Sequence, residues 1–170
     1  MEITLEQLLA SREERWQLQS QLLQQHGDCT LVCLTVIMPG KVKRNHQSLV
    51  VAKSATEALK AAFEPYTIER MIERDLMTGY ETYALVHVSP LEAKRMACAI
   101  EDSHPLGRLF DMDIIDNQVQ PVSRHEVGLP PRRCLLCDNE ARFCMRNHTH
   151  TMQELHQRIH EMIDRYVRQS

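Results

Sequence analysis

The chain predicts an α+β fold built on a ferredoxin-like βαββαβ core, flanked by an N-terminal helix and by a C-terminal Cys/His segment plus a final helix. Two observations carry that prediction. Hydropathy switches between strand and helix periods in the order strand, helix, strand, strand, helix, strand across residues 29–115. Thr78-Gly79 separates the middle two strand-like runs, as a hairpin turn would.

Residues 4–26 read as a helix: Thr4 and Gln7 have capping-box spacing, Leu5, Leu8, Leu9, Trp16, Leu22 and Leu23 supply an apolar stripe, and Gly27 stops it. Residues 29–38 form a continuous, β-branched apolar run, hence a buried strand, which Pro39-Gly40 ends. A basic loop, Lys41 to His46, leads into a helix over 48–63. Residues 66–74 and 80–88 are the paired strands. Pro90 suits the first turn of a helix that continues over 91–103. Residues 109–115 make a short strand, and 152–167 a last helix. No internal repeat or linker interrupts this order, so 1–170 reads as a single domain with a Cys/His-rich extension at about 130–150.

Composition narrows the function. The chain has 170 residues, 43% apolar and 25% charged, as an ordinary globular domain does. A net charge of −3 and 5% aromatic content argue against nucleic-acid binding. No apolar run approaches a membrane span, and the acidic start Met1 to Glu6 reads as helix rather than signal peptide. Six cysteines in such a chain suggest thiols or metal instead of disulfides, and a cytoplasmic location.

Three stretches hold candidate chemistry. On a strand over 109–115, Asp111 and Asp113 point to one face; two like carboxylates there either share a divalent cation such as Mg²⁺ or form a solvated edge. Gly107 before them would let a phosphate approach the backbone. Residues 38–53 carry four Lys/Arg and no acid, which suits phosphate binding or a plain solvated loop, but they lack the Walker spacing. Cys134, Cys137, Cys144 and His150 have the spacing of a tetrahedral zinc knuckle; the alternative is reduced thiols packed as small apolar groups. Cys29, Cys33 and Cys98 fall in apolar periodic segments and read as core. His156 and His160, four apart, read as helix surface.

Four stretches, taken in order, resemble one family: Met38 to Lys43, His104 to Ile114 (HPLGRLFDMDI), Ser123-Arg124, and Arg133 to Cys137 with Cys144, Arg146 and His150. The family is apo-citrate lyase phosphoribosyl-dephospho-CoA transferase, also named holo-citrate lyase synthase. The resemblance implies a nucleotidyltransferase-type enzyme. Its substrates would be 2′-(5″-triphosphoribosyl)-3′-dephospho-CoA and a serine of the acyl carrier (gamma) subunit of citrate lyase. On this reading Asp111 and Asp113 hold Mg²⁺, Lys43, Gly107, Arg108, Arg124 and Arg133 contact the substrate, and His104 takes the serine proton. Arg132, Arg142 and Arg146 would meet the carrier. The Gly-then-Asp-x-Asp strand also resembles polymerase-β-like nucleotidyltransferases, where a third carboxylate is often needed; Glu101, Asp102 and Glu126 are the candidates. Two other readings remain open: a non-catalytic zinc-knuckle module that binds protein, and a transferase acting on another nucleotide.

Overall fold

The computed structural model describes residues 2–169. Five strands form one antiparallel sheet: β1 (Thr30–Val36), β2 (Ile68–Leu76), β3 (Gly79–Val86), β4 (Phe110–Ile115) and β5 (Pro121–Val122), in the order β2-β3-β1-β4-β5. Five α-helices accompany it: α1 (Leu5–Gln25), α2 (His46–Phe63), α3 (Pro90–Ser103), α4 (Ala141–Asn147) and α5 (Met152–Gln169). The α+β class therefore holds. The sequence reading missed β5 and α4, each too short to show a period.

β1 is the centre of the sheet because its side chains are apolar on both faces. Val32 and Leu34 face α2, α3 and α5 across a core that includes Leu59, Phe63, Ala97, Phe110, Met112 and Ile163. Leu31 and Cys33 face α1, beside Leu22, Leu23, Tyr83 and Leu85. Such two-sided burial is what turns alternation into a continuous apolar run.

Local signals set the helix ends. Thr4 and Gln7 form the expected capping box, and Asn45 with Ser48 forms a second, which starts α2 two residues earlier than its apolar pattern does. Ser89 caps α3, with Pro90 in its first turn.

The predicted stripe of α1 splits. Leu22 and Leu23 are buried, but Leu5, Leu9 and Trp16 are exposed, and the helix turns Ser11 and Gln19 inward instead. The sheet beneath explains this. Its far end carries Glu81, which Arg15 of α1 meets at 3.0 Å, and Ser11 Oγ lies 2.8 Å from Thr78 Oγ1. Polar positions at helical spacing thus cover the polar end of the sheet, and leucines cover the apolar end.

A short 3₁₀ turn, Gly107–Leu109, replaces the first residue of the predicted last strand. Gly107 is fully enclosed. A Cβ there would lie 2.4 Å from the Glu101 carbonyl oxygen and 2.7 Å from that of Ile100. The glycine lets the turn press against the end of α3, a packing requirement in backbone that has little room to yield. Gly107→Ala should therefore lower the unfolding free energy by about 3 kcal/mol or more. Urea denaturation checks this; an unchanged midpoint would mean that the turn can shift freely.

Candidate functional site

The antiparallel register sets Asp111 opposite Thr35 and Asp113 opposite Cys33. Both carboxylates consequently share the face of the sheet that α1 covers, as the two-residue period requires. Asp111 is about half exposed. Asp113 is open at the strand edge, yet protein crowds its carboxyl. That desolvation, and then the charge of Asp111, push it above the usual carboxylate range. Two oxygen-donor groups held together against their repulsion fit a hard divalent cation such as Mg²⁺.

Beside this pair lies an open recess of about 480 Å³, lined by Arg108, Arg124, Arg132 and Arg133 together with Asp102 and the Cys134–Cys137 turn. A buried carboxylate organises it. Glu101, at the end of α3, accepts the Met112 N–H of β4 at 2.9 Å through Oε1 and an Arg124 N–H at 3.0 Å through Oε2. Arg124 also reaches Asp102 at 2.7 Å, and these two hydrogen bonds outweigh burial to raise its pKa. Arg132 Nη1 lies 3.7 Å from Glu101 and 3.6 Å from Asp111, which physically joins the arginines to the aspartate pair. Arg133 pairs at 3.5 Å with Asp138 at the surface. Arg108 has no carboxylate within ion-pair distance among the described residues; burial and then Arg132 lower its pKa. Arg124 Nε is buried without a hydrogen-bond partner. An unpaired guanidinium beside further arginines makes a receptor for an anion with several oxygens.

Other expected residues lie elsewhere. Lys43 donates from Nζ to the Met38 carbonyl, and burial, then Arg12, lower its pKa. Its Cβ lies beside Gly79, next to the β2–β3 turn, so it sits at the Asp111 end of the sheet but outside the arginine recess. His104 caps α3 and faces the opposite layer. Its Nδ1 accepts the Leu106 N–H at 3.0 Å, its Nε2 is 3.3 Å from Ser54 Oγ, and its ring packs at a tilt against Phe110 and Tyr166. Burial lowers its pKa.

Cys134, Cys137, Cys144 and His150 converge, with all four ligand atoms within 4.8 Å of one another. Cys137 Sγ lies 3.4 Å from Cys144 Sγ and 3.3 Å from His150 Nε2. Those separations approach the roughly 3.5–3.8 Å edges of a tetrahedron with zinc-type bond lengths. Burial opposes ionisation of Cys134. The N–H groups of Leu136 and Cys137 and the neighbouring thiols outweigh it and bring its pKa down to about 7. α4 holds Cys144 inward and leaves Arg142, Arg146, Phe143 and Met145 on the surface.

Two residues in the site carry more than sequence reasoning gave them. Arg132, expected on a carrier-facing surface, is largely buried against Glu101 and Asp111. Glu81 stands in register across Thr35 from Asp111, so a third carboxylate shares that face at about 10 Å. Arg15, Arg74 and Tyr83 hold it. Of the three acids considered earlier, Glu101 and Asp102 are engaged by Arg124, and Glu126 accepts from Ser123. The position of Glu81 follows from strand register, which one sequence does not disclose.

Comparison with known proteins gives a consistent picture. The profile of the family described as apo-citrate lyase phosphoribosyl-dephospho-CoA transferase matches residues 3–166. A probable apo-citrate lyase phosphoribosyl-dephospho-CoA transferase of Vibrio cholerae is 35% identical over 98% of this chain and 94% of its own. A protein of that name from Shigella boydii is 32% identical over 95% of this chain and 89% of its own. The protein CitXG of Haemophilus influenzae is 38% identical over 94% of this chain, which spans only 35% of that longer protein.

The raised pKa of Asp113 has a consequence for stability. An acid whose folded pKa exceeds its unfolded value destabilises the fold where it is ionised, and that penalty fades as pH falls through the folded pKa. In chelator, Asp113→Asn should therefore unfold at a higher temperature than the unmodified protein at pH 7. The difference should vanish below about pH 3, where both states are protonated. Thermal melts at the two pH values check this; a less stable variant at pH 7 would contradict it.

Proposed function

Because the chain belongs to the apo-citrate lyase phosphoribosyl-dephospho-CoA transferase family, we propose that it attaches the phosphoribosyl-dephospho-CoA group to a serine of the citrate lyase acyl carrier (gamma) subunit. The donor would be 2′-(5″-triphosphoribosyl)-3′-dephospho-CoA. The observation that carries this reading is the join made by Arg132, which sets a carboxylate pair for a cation directly beside an arginine recess with an unpaired guanidinium.

The serine oxygen attacks the phosphorus nearest the ribose, the new P–O bond replaces the bond to diphosphate, and the serine proton passes to solvent as diphosphate leaves. Arg108 binds the polyphosphate oxygens with its unpaired guanidinium, Arg124 lines the same recess, and Arg133 reaches it from the rim. Asp111 and Asp113 would hold Mg²⁺, which when bound neutralises charge on the phosphates. Glu101 keeps Arg124 and Arg132 aimed, and Lys43 flanks the same end of the sheet. His104 acts as a positioning residue, since its nitrogens already serve Leu106 and Ser54 on the other side of the sheet. Cys134, Cys137, Cys144 and His150 would hold Zn²⁺ and so fix the turn that forms one wall of the recess.

We read the strand order as a ferredoxin-like core extended by β5, with the Asp-x-Asp strand placed as in nucleotidyltransferases; the antiparallel pairing of β1 with both β3 and β4 supports this. We assign the protein to the cytoplasm and the whole chain to one transferase unit. No helix among the described residues is long and apolar enough to cross a membrane.

Mass spectrometry of the carrier after incubation with enzyme, donor and Mg²⁺ tests the reaction. Asp111→Asn and Asp113→Asn should abolish the mass gain, and Arg108→Ala should raise the KM for donor about tenfold or more, as loss of a charge-assisted hydrogen bond implies. His104→Gln should lower thermal stability and leave the pH profile of transfer unchanged. Modification at full rate by both aspartate variants would reject the proposed site. Transfer from ATP or CTP at equal efficiency would reject the donor. For the zinc cluster, Cys134→Ser should lose one equivalent of zinc by elemental analysis.

A further inference from the structure

A second convergence of metal-type ligands lies at the other end of the sheet. Asp28 and Cys29 precede β1, His87 follows β3, and their ligand atoms all lie within 4.8 Å of one another. Thr35, the partner of Asp111, lies six positions along the chain from Cys29, or about 20 Å. The transfer chemistry makes no use of these groups.

Their ligand atoms lie close enough together to surround a cation. Cys29 Sγ lies 3.9 Å from Asp28 Oδ1 and is nearly equidistant from the two ring nitrogens of His87, 3.7 Å from Nε2 and 3.9 Å from Nδ1; His87 Nδ1 lies 3.7 Å from the other Asp28 oxygen, Oδ2. Each separation is within about half an ångström of the edges that a tetrahedral zinc-type ion sets between S, N and O donors. The other ring nitrogen, Nε2, is 3.2 Å from Glu69 Oε2. Glu69 is steadied in turn by His26, whose Nδ1 is 3.9 Å from Oε1. A carboxylate on the far nitrogen of a histidine is the usual outer partner of a metal ligand; it fixes the tautomer that leaves Nδ1 free to coordinate.

Charge points the same way. A thiol and two carboxylates meet here, and among the described residues neither Asp28 nor Glu69 pairs with a lysine or arginine; the histidines are their only ion-pair partners. A recess of about 420 Å³ opens onto the cluster, lined also by Thr30, Ser89 and Asn117, which gives an ion access and leaves space for solvent as a fourth ligand.

We propose that Cys29, His87 and Asp28 form a second metal site, for a divalent cation of the zinc type, with Glu69 as the outer partner of His87. The site links the segment after α1 to the start of β1, the end of β3 and, through Glu69, β2. A bound ion therefore clamps the end of the sheet remote from the phosphate recess.

The test uses full-length protein stripped with chelator and titrated with zinc against a chromophoric competitor. The unmodified protein should take up one equivalent more than Cys29→Ser or His87→Gln. The comparison is a difference, so it holds whether or not the Cys134 cluster fills. Glu69→Gln should keep the equivalent and bind it about 10–100-fold more weakly. Cadmium NMR should show a resonance that Cys29→Ser removes while any signal of the Cys134 cluster stays. Circular dichroism in chelator establishes that the variants fold, and Asp28→Asn, altered only at an exposed side chain, repeats the comparison if Cys29→Ser does not. Equal zinc uptake by unmodified protein, Cys29→Ser and His87→Gln overturns the proposal.

Discussion

The Glu101 carboxylate is the constraint on which the rest of the site depends. It is 4% exposed, and such a charge is tolerable only when its oxygens are fully engaged. Here one oxygen accepts a backbone N–H from β4 and the other an Arg124 N–H, with Arg132 nearby. One side chain of α3 therefore sets the height of β4, the path of the chain beyond β5, and the start of the Cys/His segment. Those are the elements that carry the aspartates, the arginines and the thiols. Gly107 belongs to the same device, since its lack of a Cβ allows the chain to turn from α3 into β4 tightly enough for Glu101 to reach Met112.

Electrostatics divide the α1 face of the sheet along its length. At the remote end the helix packs Leu22 and Leu23 over Leu31 and Leu85. At the near end Arg15 and Arg74 hold Glu81, while Tyr83 and Cys33 sit between. Burial drives the Cys33 thiol up to about 12, which keeps it neutral beside the acids. The carboxylates of β4 thus adjoin a region already balanced in charge, and their own repulsion remains for a cation to satisfy.

Much of this was legible in the sequence, for identifiable reasons. β1 announced itself because burial on both faces leaves no polar interruption, and α1 and α3 because Thr4 with Gln7, and Ser89 with Pro90, are local signals read without tertiary context. The Asp111–Asp113 pair followed from the two-residue period alone, and the Cys134 to His150 cluster from spacing. What stayed hidden depends on register and on contacts far apart in sequence. Glu81 joins the aspartate face only because β1 separates β3 from β4. Arg132 reads as a surface arginine until Glu101 is placed beneath it. His104 sits in a motif that suggests chemistry but turns its ring into the other layer, because Pro105 ends α3 and the Leu106 N–H claims its Nδ1. The stripe of α1 misled for a related reason: Leu5, Leu9 and Trp16 have helical spacing, yet the polar end of the sheet selects Ser11, Arg15 and Gln19.

β4 is paired on its outer side only at Ile114 and Ile115, where β5 meets it. Along Phe110 to Asp113 that outer edge has no strand beside it among the described residues. An open row of backbone donors and acceptors invites another chain to add itself to the sheet. Here the Met112 N–H is already taken by a carboxylate, and guanidinium groups of Arg124 and Arg132 stand alongside. A neighbouring molecule offering a strand would find the hydrogen bond spent and fixed charges in its path. The group that aims the arginines thereby also keeps this margin of the molecule from polymerising.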